Sequence, residues 1–240
     1  MSGKVLYSIV QDGLILRLDA ANTKSYVSGS TIWNDLTSNQ KNGLLVNGPG
    51  FNSNNLGSIT FDASNDHVNL GQNFNFTTED FTISYWVYFN GFVAGGGPSQ
   101  GPILIYKGPF QVSGFYDQVP YTTGSTAAGI SFLTNNLGST NITTAAYSLS
   151  SSTWYNISYT RSGTSVRIYI NGVDSTSSLG THTITSSTKD FYLMRYSNQS
   201  GSANLYSNGR LSNVLIYNKQ LTANEILKNY NALKIRYGLT

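Results

Sequence analysis

The chain has 240 residues and no cysteine, which removes disulfide frameworks, thiolate metal centres and cysteine nucleophiles from consideration. Charge is scarce too: Asp, Glu, Lys and Arg make up 10% of the residues, against about 25% in an average domain. The formal net charge is +3 and the basic residues are scattered, so no nucleic-acid patch is indicated. No apolar run reaches the roughly 18–20 residues needed to cross a bilayer. The opening M-S-G-K-V-L-Y-S-I-V-Q-D is broken by Gln11 and Asp12 and is followed by no small-residue cleavage motif. A soluble chain made without a secretion signal is therefore expected.

Tyr, Ser, Thr, Asn and Gly fill the polar surface instead, and aromatic residues reach 13%. That aromatic content is too high for disorder, and a neutral, hydroxyl-rich surface suits sugars or packing in an assembly. The stretch Thr153 to Asp174 sets the fold class. Tyr155, Ile157 and Tyr159 alternate with Asn156, Ser158 and Thr160, the period of a half-buried strand. Ser162-Gly163-Thr164 turns the chain, Val166, Ile168 and Ile170 resume the apolar face, and Asn171-Gly172 is a two-residue hairpin signal. This predicts an antiparallel meander with one wet face.

Similar strands are expected at Gly13 to Asp19, Gly57 to Asp62 paired with His67 to Gly71, Phe81 to Phe89, Ile103 to Lys107, Ala128 to Leu133, Ile142 to Tyr147, Asp190 to Tyr196 and Gly209 to Tyr217. Gly91 to Gly101 and Gly108 to Gly124 read as long loops, the second carrying Phe110, Phe115, Tyr116 and Tyr121. Only the end is helical, over about 222–236. Thr222-Ala223-Asn224-Glu225 is a capping box, Ile226, Leu227, Tyr230 and Leu233 recur at helical spacing, and Gly238 stops it. No linker or composition shift divides the chain, so one domain over 1–240 is expected.

Several of these motifs resemble a known family. G-L-I-L-R-L-D-A-A-N, W-N-D-L, G-S-I-T-F-D-A-S-N-D-H-V-N-L, F-T-I-S-Y-W-V-Y-F and the W-Y-N-I-S-Y hairpin are similar to laminin-G-like domains of the concanavalin A-like lectin and glucanase superfamily. The closing G-R-L-S-N-V-L-I-Y-N-K-Q-L-T-A-N-E-I-L-K-N-Y resembles the final strand and helix of such domains in bacteriophage virion proteins. The resemblance implies an all-β, two-sheet antiparallel jelly-roll sandwich with one C-terminal helix. It further implies a non-enzymatic virion component assembled in a host cytoplasm: a capsid decoration protein, or a tail or fibre part. The alternatives are a glycan-binding adhesin for host attachment and, third, a glycoside hydrolase. Other virion proteins, a homo-oligomer such as a trimer and a host-surface glycan are the partners this implies.

The chemistry-bearing residues are few. The family's hydrolases carry E-x-D-x-x-E on one strand, and this chain has only Glu79 and Glu225, so no catalytic residue is assigned. No G-x-S-x-G elbow accompanies His67 or His182, which read as surface or rim histidines. Asp62 and Asp66, in D-A-S-N-D, place oxygens at alternate positions as calcium loops do; the other reading is an Asx-type turn. Tyr116, Asp117 and Tyr121 are the candidate glycan contacts, with aromatic faces for stacking and a carboxylate for hydroxyls; the competing reading packs these rings into the sandwich or a subunit contact. Ile226, Leu227 and Tyr230 on the helix are the candidate partner contacts.

Overall fold

The computed structural model describes residues 8–93, 101–108, 112–136, 139–197 and 203–240. Phe110, most of the Gly-rich loop after Gly91 and the first seven residues lie outside the described residues. Two antiparallel sheets of eight and nine strands face each other. The first runs Val173–Asp174, Ser165–Ile170, Trp154–Ser162, Phe81–Phe89, Asn208–Tyr217, Ser58–Asp62, Gly50–Asn52, with Leu14–Asp19 pairing the far half of Asn208–Tyr217. The second runs Thr176–Ser178, Ser139–Ala145, Ile130–Asn136, Phe115–Gln118, Ile105–Lys107, Phe191–Leu193, His67–Asn69, Gly43–Val46, Ile32–Trp33.

The period of two builds this core directly. Phe81, Ile83, Tyr85, Val87 and Phe89 point inward from one strand, and Tyr155, Ile157 and Tyr159 do so from its neighbour. Phe115, Phe132 and Phe191 meet them from the opposite sheet, with Phe81 and Phe115 stacked at 5.8 Å between ring centroids. The hairpin at Asn171-Gly172 takes φ of 52° and 80°, the double positive φ of a type I′ turn.

Two expectations about the sheets change. Ser58–Asp62 and His67–Asn69 do not pair. The first lies beside Asn208–Tyr217 in one sheet and the second beside Gly43–Val46 and Phe191–Leu193 in the other. The loop between them crosses the sandwich, with Ala63 at φ 65°. The first strand of the meander also lacks the expected wet face, because Trp154–Ser162 is buried on both sides up to Arg161, while Arg167, Val173 and Asp174 on the next two strands are exposed.

The cover on that outer face is the C-terminal helix, Ala223–Leu233, followed by a 3-10 turn over Lys234–Tyr237. The helix starts at the capping box, with Thr222 and Glu225 exchanging side-chain and backbone hydrogen bonds. Tyr237 stacks on Trp86 at 3.9 Å and 16°, and Tyr230 lies near-parallel to the same indole at 5.7 Å. Arg236 then enters the sheet end, where its guanidinium donates to Asp19 Oδ1 at 2.7 Å, to Asn55 O at 2.7 Å and to Gly57 O at 2.6 Å. The D-A-A-N segment and the chain end are thus one locked unit.

This corrects the helix as a free docking face. Ile226 is buried against Leu215, Tyr217 and Leu221 of its own chain, and Tyr230 is half-buried on Trp86, leaving Leu227 as the exposed member at 41%. Ile226→Ala is accordingly expected to cost about 2–5 kcal/mol of stability, measured by urea unfolding, with no change in oligomeric state.

Candidate functional site

Beyond Gln118 the chain leaves the second sheet. Val119 N–H is held by Pro102 O at 2.9 Å, and Pro120 and Tyr121 emerge at the surface. The chain returns through a short ladder in which Thr126–Ala127 pairs Leu149–Ser150. Ser151 N–H also donates to Ser125 O at 2.7 Å. Residues 120–128 therefore lie against residues 147–151. Tyr147 packs edge-on to Tyr155 at 6.0 Å and 85°, while Tyr155 Oη accepts the Ser150 N–H at 2.8 Å. Tyr147 is held half-buried, and Tyr121 stands 37% exposed.

Between them opens a groove of about 510 Å³ lined by Pro120, Tyr121, Thr122, Thr126, Ala127, Ala128, Tyr147 and Ser148. A second groove of about 340 Å³ shares Thr122 and is lined by Asn90, Gly91, Phe92, Val93, Thr123, Gly124, Ser125, Ser151 and Asn208. Asn90 Nδ2 donates to Asn208 Oδ1 at 2.7 Å, and buried Phe92 leans on Phe89 at 5.2 Å. Among the described residues, no carboxylate and no Lys or Arg side chain lines either groove. Aromatic faces beside hydroxyls and amides can hold a ligand that has apolar C–H faces and many hydroxyls.

Of the three candidate contacts, only Tyr121 belongs to this groove. Tyr116 and Asp117 are not in a loop; they sit on the strand Phe115–Gln118 in mid-sheet. Tyr116 points outward and is buried with Tyr106 and Tyr196 beneath the hairpin of Arg195–Ser197 and Ala203–Tyr206. Asp117 points inward and has no exposure. Its Oδ2 accepts the Tyr85 hydroxyl at 2.5 Å and the Tyr159 hydroxyl at 2.9 Å, and its Oδ1 accepts Leu104 N–H at 2.7 Å and Ile105 N–H at 3.1 Å. Burial pushes its pKa up to about 6, against the pull of those four donors. It is a tie between the sheets, out of reach of a surface ligand.

The remaining candidates are also engaged within the fold. Asp62 Oδ1 accepts Ser64 N–H at 2.8 Å, an Asx turn. Asp66 is buried and raised to about 6 by that burial and then by the Asp62 carboxylate, while the Asp62 backbone N–H bonds to it. Calcium takes 6–8 oxygens, and among the described residues no cluster of three or more His, Asp or Glu forms. With both carboxylates turned to their own backbone, these residues do not fit the ion.

Nor are the histidines rim residues. His182 is fully buried, its ring nitrogens each 2.8 Å from a hydroxyl, of Thr134 and of Thr143, and burial lowers its pKa to about 4. His67 is buried beside Tyr192 and Tyr206. Tyr147, Asn90 and Asn208 escape sequence reasoning because they arrive from separate segments. Sequence reading places Tyr147 at the end of a strand from Ile142, whereas it stands two residues past the end of Ser139–Ala145.

Residues 62–227 match the laminin-G-type model of the concanavalin A-like lectin/glucanases superfamily. No curated protein matches by sequence. Among solved structures, the binding domain of Paraclostridial Mosquitocidal Protein 1 superposes with a TM-score of 0.66 at 16% identity, over 92% of this chain and 52% of that one. The binding domain of Botulinum Neurotoxin DC in complex with SialylT gives 0.66 at 17%, over 93% and 52%. Domain 4 of the extracellular arabinanase AbnA from Geobacillus stearothermophilus, in complex with arabinotriose, gives 0.63 at 12%, over 90% and 98%. The chain thus spans about half of the toxin binding domains and nearly all of the arabinanase domain, and at these identities the likeness is one of fold. Among the described residues no helix is long and apolar enough to cross a membrane.

Proposed function

The chain belongs to the concanavalin A-like lectin/glucanases superfamily, and from that premise we propose that it is a non-catalytic glycan-binding module. The observation that carries this reading is the uncharged groove between Tyr121 and Tyr147, walled by hydroxyls. Hydrolysis of a glycosidic bond needs two carboxylates about 5–10 Å apart astride it, and neither groove is lined by one. The complexes of the arabinanase domain with arabinotriose and of the toxin domain with SialylT support the reading at the level of the fold. The setting we favour is a phage virion, as an adhesin on a tail fibre or capsid. It rests on the resemblance of the closing strand and helix to those of virion proteins, and mass spectrometry of purified particles tests it.

A second reading, attachment to other virion proteins or to further copies of this chain, has its own observation. Leu227 and Val173 are 41% and 63% exposed where the helix packs on the strand Val173–Asp174. Light scattering is expected to show an oligomer, such as a trimer, that dissociates in Leu227→Asp. A monomer at high concentration contradicts it.

On a glycan array the protein is expected to bind a discrete set of glycans. Tyr121→Ala, an exposed position, is expected to weaken that binding roughly ten-fold or more with an unchanged melting temperature. Absence of any glycan signal for the unaltered protein overturns the glycan reading.

A further inference from the structure

The two grooves lie within two long stretches of chain that carry no ionisable acid or base other than tyrosine, Phe81 to Tyr106 and Gln118 to Thr160. Every lining residue except Asn208 comes from these stretches. Among the described residues the cations near or beneath the sheets are engaged elsewhere: Arg161 in a cage of carbonyls, Arg236 on Asp19, Lys107 on the carbonyls of Asn73 and Lys189, and Arg210, two residues from Asn208, over the Tyr88 ring at 3.8 Å. Arg and Lys are the side chains that most strongly recognise carboxylate-bearing ligands, because their charge-assisted bonds replace the lost hydration of the anion. A sialic acid or uronate laid here would give up water and meet only neutral dipoles, which is unfavourable. A neutral sugar has no such loss.

The shape adds a second point. Both grooves are open, and Thr122 lines both. The first offers the Tyr121 and Tyr147 rings. The second offers the Asn90–Asn208 amide pair, held at 2.7 Å, with Ser125 and Ser151 beside it. Stacking in one and amide recognition in the other suit successive units of a single chain. Resting on the glycan-binding reading, we infer that the site takes a neutral oligosaccharide that runs from the tyrosine groove over Thr122 into the amide groove, and that it discriminates against sialylated and uronic-acid glycans.

Titration calorimetry tests this with linear malto-, cello- and arabino-oligosaccharides from disaccharide to hexasaccharide, and with oligogalacturonates and sialyllactose as acidic probes. For at least one neutral series, affinity is expected to rise roughly ten-fold or more with length and then level off. Asn208→Ala and, at an exposed position, Asn90→Ala are each expected to flatten that rise. Acidic probes are expected to bind at least about ten-fold more weakly. Raising the salt is expected to leave the neutral affinity unchanged, since no ion pair is there to screen. Acidic glycans binding as tightly as neutral ones, or an affinity that levels off at the disaccharide, overturns the inference. If such binding is still lost in Tyr121→Ala, the glycan reading survives it. No binding by any probe, neutral or acidic, overturns both.

Discussion

Asp117→Ala is expected to lower the stability of the fold by on the order of 5 kcal/mol, a large part of the 5–15 kcal/mol typical of a whole domain. The carboxylate has no exposure and collects two backbone N–H groups from its own sheet and two tyrosine hydroxyls from the other. Alanine leaves all four donors in a dry core, where each unmet polar group costs about 1–3 kcal/mol. Asp117→Asn keeps the shape and one acceptor oxygen, and its amide can donate to the hydroxyls, so its penalty is expected to be far smaller. Chemical unfolding of the two variants separates these outcomes.

The same residue makes stability depend on pH in a definite direction. Its folded pKa of about 6 lies above the ordinary 3.8, so the folded state holds the proton more tightly. That contribution is complete below about pH 3.8 and is lost as pH rises through about 6. Asp66, also raised to about 6, adds to it. His182 works the other way: lowered from 6.5 to about 4, it contributes above 6.5 and loses that contribution as pH falls through about 4. The two offset each other in the unaltered protein. Asp117→Asn removes part of the acid-side contribution and leaves that of His182, so melting temperatures across pH 4 to 8 are expected to fall more steeply toward acid in this variant. An identical pH profile contradicts the buried tie.

Arg161→Met is expected to cost on the order of 4 kcal/mol and to loosen the segment around residues 182–185. Arg161 is 1% exposed. Its Nε donates to Gly163 O at 2.8 Å. One terminal nitrogen donates to Thr77 O, Glu79 O and Thr185 Oγ1, and the other to His182 O and Thr183 O. Nearly all of these partners are main-chain carbonyls, so the side chain fastens two irregular segments that have few ladder bonds of their own. Lysine keeps the charge but not the planar fork, and an intermediate loss is expected for Arg161→Lys. Hydrogen exchange should report faster amides at 182–185 and 77–79 in both variants. Unchanged protection there contradicts the role.

The sandwich was legible because its signals are local. Alternation in Phe81–Phe89 and Trp154–Ser162, the Asn171-Gly172 turn and the Thr222 capping box each state their own conformation. Pairing across the molecule was less so: D-A-S-N-D reads as a hairpin loop, and nothing within it tells that its two flanks join different sheets. The strand Phe115–Gln118 was hidden because a carboxylate at its inward position contradicts the pattern. Asp117 is tolerated there only because Tyr85 and Tyr159, 32 and 42 residues away in sequence, supply the donors. The proposed groove was half visible. Tyr121, an aromatic in a Pro- and Gly-bearing loop, stands out, whereas Tyr147, Asn90 and Asn208 acquire meaning only once folding has gathered them beside Thr122.

Amide-correlation NMR of labelled protein, recorded with and without the best-bound oligosaccharide, tests the proposed glycan-binding groove most directly. Shifts are expected at residues 90–93, 120–128, 147–151 and 208, with the sugar recovered intact. Shifts gathered on the C-terminal helix or the Asp62–Asp66 turn instead, or new reducing ends in the sample, contradict a non-catalytic module that binds through Tyr121 and Tyr147.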